Sequence, residues 1–481
     1  MSVVTRFAPS PTGFMHIGNL RTAIFAYLFA RKEGGTFILR IEDTDQEREV
    51  SGAIEHIQEL LKWLGMEWDY GPDKPGPWGS CIQSKRLETY REFAEKLIEK
   101  GFAYPDPYTP EELESFRARA TEEKRPFLFR DHRPGTFGAW DGKQPLRFRV
   151  PELKRWKWED AVRGDLEAGE EALDDFILMK SDGFPTYNFA HIVDDHLMGV
   201  THVFRGDEFI SSTPRFLSLY EALGIERPVF VTLPPILRTD RTKKLGKRDG
   251  AKDALEYRAE GFLPEALMNY LALIGWNPGT EEEIFSKAGL TARFSIEQIQ
   301  KSGGAFDEQK LRWFNREHLL ALAPEAFLAG AKGFLSEKTW RALSRAELLA
   351  SLVPLMRERA QTFADLTAMD RAGEFDLYTE TPSCEREKLR WKDEPSYKKT
   401  ADRLRRIEAL LELIPAGDWH DAKIKEIVWP YADTEGRGAV LWPFRYALSG
   451  REKSPDPFVI AGLLGKDETL RRISTALEML A

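Results

Sequence analysis

The stretch "VVTRFAPSPTGFMHIGNLRTA", residues 3–23, constrains the fold of this chain more than any other. "VVTRF" is rich in β-branched side chains and reads as a strand. Two prolines then stiffen the connection, and Gly13 leaves it thin in side chains. From Gly18 the apolar residues Leu20, Ile24, Tyr27 and Leu28 recur at helical spacing until Gly34-Gly35 stops them. "TFILRIE" (36–42) reads as a second, largely buried strand, so the first forty or so residues predict a βαβ unit with a right-handed crossover. A loop leaving the carboxyl end of a parallel strand and entering a helix aims unpaired N–H groups, and the positive helix end, at whatever lies above it. Phosphate is the expected guest. Glycine admits an anion close to the backbone, and proline holds the loop in place beforehand. The sequence contains neither GxGxxG nor GxxxxGK[ST], which excludes the dinucleotide fingerprint and the P-loop. His16, at the mouth of the helix, is placed to donate a hydrogen bond to a phosphoryl oxygen.

The chain has 481 residues, which suggests roughly three domains. With 42% hydrophobic and 31% charged residues its composition is that of an ordinary globular protein. The start lacks the basic-then-apolar pattern of a signal peptide, and no apolar run approaches membrane-spanning length. The only two cysteines, Cys81 and Cys384, read as free thiols in a reducing cytoplasm, so the expected location is cytoplasmic. A net charge of −9 argues against a general nucleic-acid coat, but a polyanion is bound by local patches. "RTDRTKKLGKRDGAK" (238–252) holds seven basic and two acidic residues, and "REKLRWKDEPSYKKTADRLRR" (386–406) nine and four. The second, taken alone, reads best as a solvated charged helix.

Amphipathic helices are expected near 52–64 and 85–100. Residues 105 to roughly 175 are rich in proline, glycine and charge, with short strand-like pieces such as "LRFRV", and read as an insertion splitting the parallel sheet. The α/β pattern resumes at "DDFILMK" and runs through "THVFRG" and "VFVTLP"; from about residue 323 the chain is almost wholly helical. A second phosphate-binding element should face the first, because phosphoryl or nucleotidyl transfer builds up charge in its transition state. "KKLGKR" (243–248) suits that role, since Gly246 permits a tight bend and Lys244 and Lys247 can both reach a triphosphate. Taken alone, that run is a basic surface loop; the pairing with the first element is what makes it specific.

"HIGN" and "KLGKR" resemble the HIGH and KMSKS signatures of class I aminoacyl-tRNA synthetases. "TRFAPSPTGFMHIGNLRTA", "RIEDTD", "KSDGFPTYNFAHIVDDHLMGVTHVFRGDE", "GFLPEALMNYLALIGW" and the tail "FRYALSGREKSPDPFVIAGLLGKDETLRRISTAL" resemble the bacterial glutamyl-tRNA synthetases. The resemblance implies an α/β fold: a Rossmann-like parallel sheet with an inserted acceptor-binding subdomain, followed by an all-α anticodon-binding region. The boundaries expected are 1–104 with 176–240 for the catalytic domain and 105–175 for the insertion. A basic loop with a stem-contact helical domain is expected over 241–322, and the anticodon-binding region over 323–481. It also implies a two-step reaction. The α-carboxylate of glutamate attacks the α-phosphate of ATP, releasing pyrophosphate, and the glutamyl group passes to the terminal ribose of tRNA(Glu). By similarity His16, Lys244 and Lys247 act on the phosphates, Gly18 lets the nucleotide lie close, and Glu208 and Leu237 contact the adenosine. Mg²⁺ is expected to accompany ATP.

Glutamate carries two carboxylates and one ammonium, so its pocket needs cations for the first and a carboxylate for the second. Arg6 and Arg205 end strands where side chains converge over the sheet, and guanidinium forks suit carboxylates. Glu42 can take the ammonium, although "EDTD" also reads as an acidic helix cap. The family's pocket positions match Arg6, Ser10, Glu42, Tyr187 and Arg205, and its anticodon-reading arginine matches Arg359. A neutral amide would leave an arginine fork underused, which favours glutamate over glutamine. Departures are plain. Many relatives carry a zinc-binding cysteine cluster in the insertion; "AYPDPYT" and "PFLFRDHRP" hold no cysteine, so no structural zinc is expected. Gly246 stands where serine is usual, and His191 and Phe209 replace the asparagine and tryptophan of some relatives. "DDH" (194–196) is read as structural and not as a metal site. The partners implied are tRNA(Glu), glutamate and ATP, with no membrane, and the chain is expected to act as a monomer. The alternatives are an enzyme that also charges tRNA(Gln) and a tRNA-binding paralogue without ligase activity.

Overall fold

The computed structural model describes residues 2–246, 252–345, 348–392 and 394–481. It divides into two compact units, Met1–Phe314 and Asn315–Ala481. The opening βαβ unit is present. Strand β1 (Val4–Phe7) lies parallel to β2 (Thr36–Leu39) in the register Val4↔Thr36 to Phe7↔Leu39, and helix α1 (Ile17–Lys32) connects them. Leu20, Ile24, Phe25 and Leu28 are fully buried, and so are Ala23, Ala26 and Ala30, so α1 is apolar almost all round. Such a helix belongs in the interior and not on the surface.

Helices α2 (Ala53–Trp63) and α3 (Leu87–Glu99) fall close to their expected positions. The chain then forms β3 (Ala103–Pro105), α4 (Pro110–Glu122), β4 (Leu146–Phe148), β5 (Trp156–Asp160), β6 (Gly164–Ala168) and β7 (Ile177–Met179). After α5 (Tyr187–Leu197) come β8 (His202–Gly206), α6 (Thr213–Leu223) and β9 (Val229–Leu233). The main sheet runs β2-β1-β8-β9-β5-β6, parallel except for the edge hairpin of β5 and β6.

Two details differ from the sequence reading. The apolar run of "DDFILMK" does not enter the parallel sheet; β7 pairs antiparallel with β4, itself antiparallel to β3. Conversely, β5 and β6, which lie inside the 105–175 segment, extend the main sheet beside β9. The buried carboxylate of Asp160 accounts for the second. It accepts the Val162 and Arg163 amides of the hairpin turn and bonds Thr232 Oγ1 of β9 at 2.5 Å. Apolar patterning marks a strand but carries no information about which sheet it joins. Within the inserted segment the Tyr108 hydroxyl donates to the His132 carbonyl at 2.7 Å, and Phe116 stacks on the His132 ring.

Alternate strand residues serve opposite faces, as a doubly covered sheet requires. Phe204 and Val231 pack with α1 in one apolar cluster; Val203 and Phe230 pack with Phe189 and Phe216 in another. Beyond β9 the unit continues through β10 (Ile236–Leu237), α7 (Ala254–Ala259) and α8 (Pro264–Leu273), and α8 packs on α1. The second unit is helical among its described residues. At its centre the buried Arg472 donates to the carbonyls of Leu377, Glu380 and Leu448.

Candidate active site

The site is built at the carboxyl ends of β1, β2 and β8. The proline-rich loop after β1 is knitted to the segment after β2: the Glu42 amide donates to the Pro9 carbonyl (3.0 Å) and the Val50 amide to that of Pro11 (2.9 Å). The helix begins one residue earlier than expected, because His16 is its N-cap. His16 Nδ1 accepts the Gly18 amide at 3.0 Å, which places the ring proton on Nε2, the donor a phosphoryl oxygen requires. A Cβ at Gly18 would lie 2.8 Å from His16 Cε1 and 2.9 Å from Nδ1, so the glycine also makes room for the histidine ring.

After β10 the chain reverses through Arg238–Lys243, where the Arg238 amide donates to the Lys243 carbonyl (3.0 Å) and the Leu245 amide to that of Ile236 (2.8 Å). Arg241 takes a left-handed conformation (φ 58°) to make the turn. The reversal sets Lys244 opposite Leu237. Lys244 Nζ then donates to Glu208 Oε2 at 2.9 Å, just past β8, with both side chains about half exposed. Lys247 lies outside the described residues. Where the chain is described again, Asp253 bridges His16 through the backbone, the Ala254 amide donates to the Met15 carbonyl (2.9 Å), and Asp253 caps α7. His56 Nε2 from α2 meets both oxygens of Asp253, at 2.7 and 2.8 Å, and its ring packs on Phe14. The segment after the lysine run therefore meets the glycine-proline loop directly, while the segment before it is tied to Glu208 just past the carboxyl end of β8.

Beside them lies a buried cluster of charge. Arg6 donates Nε to Asp195 Oδ1 (3.1 Å) and Nη1 to the Phe204 carbonyl (3.3 Å). Arg40 is wholly buried and bridges Glu42 Oε1 (2.9 Å from Nη2) and Asp195 Oδ1 (2.7 Å from Nη1). Burial raises the pKa of Glu42 in spite of Arg40 and Arg6 beside it. Asp195 is also penalised by burial, but Arg6 and Arg40 overcome this and hold its carboxyl at about 2. Tyr187 opens α5, with its phenol pushed up by burial and by the charge of Glu42. Its ring stacks on His191, whose Nδ1–H donates to the Tyr187 carbonyl at 2.6 Å. Burial depresses His191 to about 3, so the ring is neutral at physiological pH with its lone pair on Nε2.

Arg205 is buried against Phe230 and Phe216, at 4.5 and 5.2 Å from the ring centres, and donates Nη2 to Thr213 Oγ1. No carboxylate pairs with it among the described residues, its Nε is buried without a hydrogen-bond partner, and burial lowers its pKa. Ser10 stands exposed in the loop after β1. Arg40, Asp195 and His56 were not singled out from the sequence as site residues. One signal was available: an arginine inside the apolar run "TFILRIE" must find a partner or bear the full desolvation penalty.

Of "DDH", Asp194 is engaged by Gln83, Arg86 and Tyr90, while His196 is exposed. Among the described residues no group of three His, Cys, Asp or Glu is arranged to hold a metal ion. In the second unit Arg359 ends the helix Leu349–Arg359 and pairs with Glu374 through both guanidinium nitrogens, Nη2 to Oε1 at 2.9 Å. The pair lines a groove of about 1010 Å³ together with Trp419, His420, Arg451 and Lys453.

The arrangement has counterparts among known proteins. Residues 2–313 match the model of the catalytic domain of tRNA synthetases class I (E and Q), and residues 319–477 that of an anticodon binding domain. A glutamate–tRNA ligase of Clostridium botulinum (strain Hall) is 42% identical, the match covering 99% of this chain and 98% of the relative. One from Clostridium tetani is 40% identical over 99% and 97%. Among solved structures, a glutamate tRNA ligase from Elizabethkingia meningosepticum in complex with its amino acid is similar at a TM-score of 0.85. Its sequence identity is 33%, and the match spans the whole of both chains.

Proposed function

The chain belongs to the class I tRNA synthetases of the E and Q type, and on that footing we propose how its site joins glutamate to tRNA. It is a glutamate–tRNA ligase: glutamate and ATP give glutamyl-adenylate and pyrophosphate, and the glutamyl group is then transferred to the 3′ end of tRNA(Glu). In this reading ATP enters with Mg²⁺ against the amino end of α1. His16 donates a hydrogen bond from Nε2–H, and Lys244 and Lys247 neutralise charge, as the α-phosphate is attacked, and Gly18, Glu208 and Leu237 receive the adenosine. Their worth is greatest in the transition state, where the phosphoryl oxygens carry most charge. Before the phosphates arrive, Lys244 is held by Glu208, so the nucleotide must exchange one ionic partner for another.

Arg6, Ser10, Glu42, Tyr187 and Arg205 take the amino acid, with guanidinium groups on its carboxylates and Glu42 on its ammonium. The observation that carries this is Arg205: a buried cation without a carboxylate partner among the described residues suits an acidic ligand and disfavours a neutral amide. Within 105–175, the part outside the β5–β6 hairpin serves the tRNA acceptor end, and 241–322 contacts the stem. In the helical region 323–481, Arg359 reads the anticodon. In this reading the enzyme acts as a monomer in the cytoplasm. No helix of the described residues is long and apolar enough to cross a membrane. Aminoacylation with glutamate, ATP and each of tRNA(Glu) and tRNA(Gln) tests the reading. Charging of tRNA(Glu) alone is expected. Equal rates on the two tRNAs would establish a non-discriminating enzyme, and no product on either would establish a binding paralogue.

A further inference from the structure

Asp195 holds more than a packing role requires. Its Oδ1 accepts from Arg6 Nε of β1 (3.1 Å) and from Arg40 Nη1 beyond β2 (2.7 Å), while Asp195 itself sits on α5. One carboxylate oxygen therefore ties three elements together at the floor of the pocket. Its other oxygen, Oδ2, is buried with no hydrogen-bond partner among the described residues. The neighbouring Asp194 shows what a carboxylate retained for stability looks like there, with both oxygens engaged by Gln83, Arg86 and Tyr90. A half-satisfied buried ion is costly, and replacing it by apolar packing would cost less. Arg6 is correspondingly oriented: with Nε on Asp195 and Nη1 on the Phe204 carbonyl, its plane is set and its Nη2 is the nitrogen left for a ligand. Arg40 carries the constraint across the pocket, because the same guanidinium that grips Asp195 also grips Glu42 Oε1 through Nε (3.2 Å) and Nη2 (2.9 Å).

We propose that Asp195 and Arg40 are positioning residues for the amino-acid substrate, fixing the spacing between the guanidinium of Arg6 and the carboxylate of Glu42. That spacing is the ruler against which the distance between a substrate carboxylate and its ammonium is measured. The inference rests on the reading of Arg6 and Glu42 as glutamate ligands. Asp195→Glu keeps the charge but pushes Arg6 outward by one methylene, and Arg40→Lys keeps the charge but loses the fork that spans the two carboxylates.

Steady-state aminoacylation of tRNA(Glu), with melting temperatures measured alongside, tests it. Each variant is expected to raise the KM for glutamate about tenfold or more while the KM for ATP stays within about twofold, as a misplacement of about an ångström at a binding group would do. An unchanged glutamate KM in both variants overturns the proposal, as does a fall in kcat alone that tracks a lowered melting temperature. Should Asp195→Glu fail to fold, Arg40→Lys decides. Arg6→Lys separates the two levels of the reading. If it too leaves the glutamate KM unchanged, the pocket assignment fails; if it alone raises it, only the positioning role is lost.

Discussion

Arg205 and His191 face the same pocket and answer burial in opposite ways. Arg205 keeps its charge on an aromatic bed without a paired carboxylate, so its replacement should be felt mainly when an acidic ligand binds. Arg205→Ala is expected to lower kcat/KM for glutamate by about a thousandfold, roughly 4 kcal/mol, with little effect on the KM for ATP; steady-state kinetics check it. His191 instead gives up its charge, falling from an ordinary 6.5 to about 3 because burial penalises the imidazolium. The unfolded chain takes up that proton near 6.5 and the folded chain only near 3. The stability that His191 contributes is thus complete above 6.5 and is lost as the pH falls from there toward 3, at about 1.4 kcal/mol per pH unit. Urea melts at pH 7, 6 and 5 should show the midpoint falling, and falling less steeply in His191→Gln.

The first turn of α1 joins local chemistry to function. Gly18 was legible as a position where a ligand comes close; the structure adds that the His16 ring already occupies the space a Cβ would need. Gly18→Ala should therefore displace the capping imidazole. The expected outcome is a rate of adenylate formation at least about tenfold lower, measured by tRNA-dependent pyrophosphate exchange, with far-ultraviolet circular dichroism unchanged. Farther along, α2 reaches the start of α7 through His56 and Asp253, while Phe14 of the glycine-proline loop lies on the His56 ring. His56→Ala removes those contacts from an element that the sequence suggested only as an amphipathic helix. A loss of about 1–2 kcal/mol is expected, seen as a lower urea midpoint.

Across the whole molecule, a net charge of −9 coexists with a polyanionic partner, so binding must come from local basic groups. The affinity for tRNA should fall steeply and linearly in log–log form as salt rises, measured by filter binding between about 50 and 200 mM. A flat response would remove the basic segments from the interaction. Local order by itself determined much of this protein. The β-branched strand, the stiff loop and the helical spacing after it could form little but a βαβ unit, and His16 and Gly18, with Glu42 beside Arg40, meet partners two residues away in the chain. Partnership across the chain was decided only by the tertiary structure. Asp195 and Arg6 are 189 residues apart, His56 and Asp253 are 197 apart, and β7 leaves the main sheet while β5 and β6 enter it. The physical reason is that apolar period and turn chemistry act over a few residues, whereas a buried charge takes its partner from whichever strand ends and helices the completed core brings together.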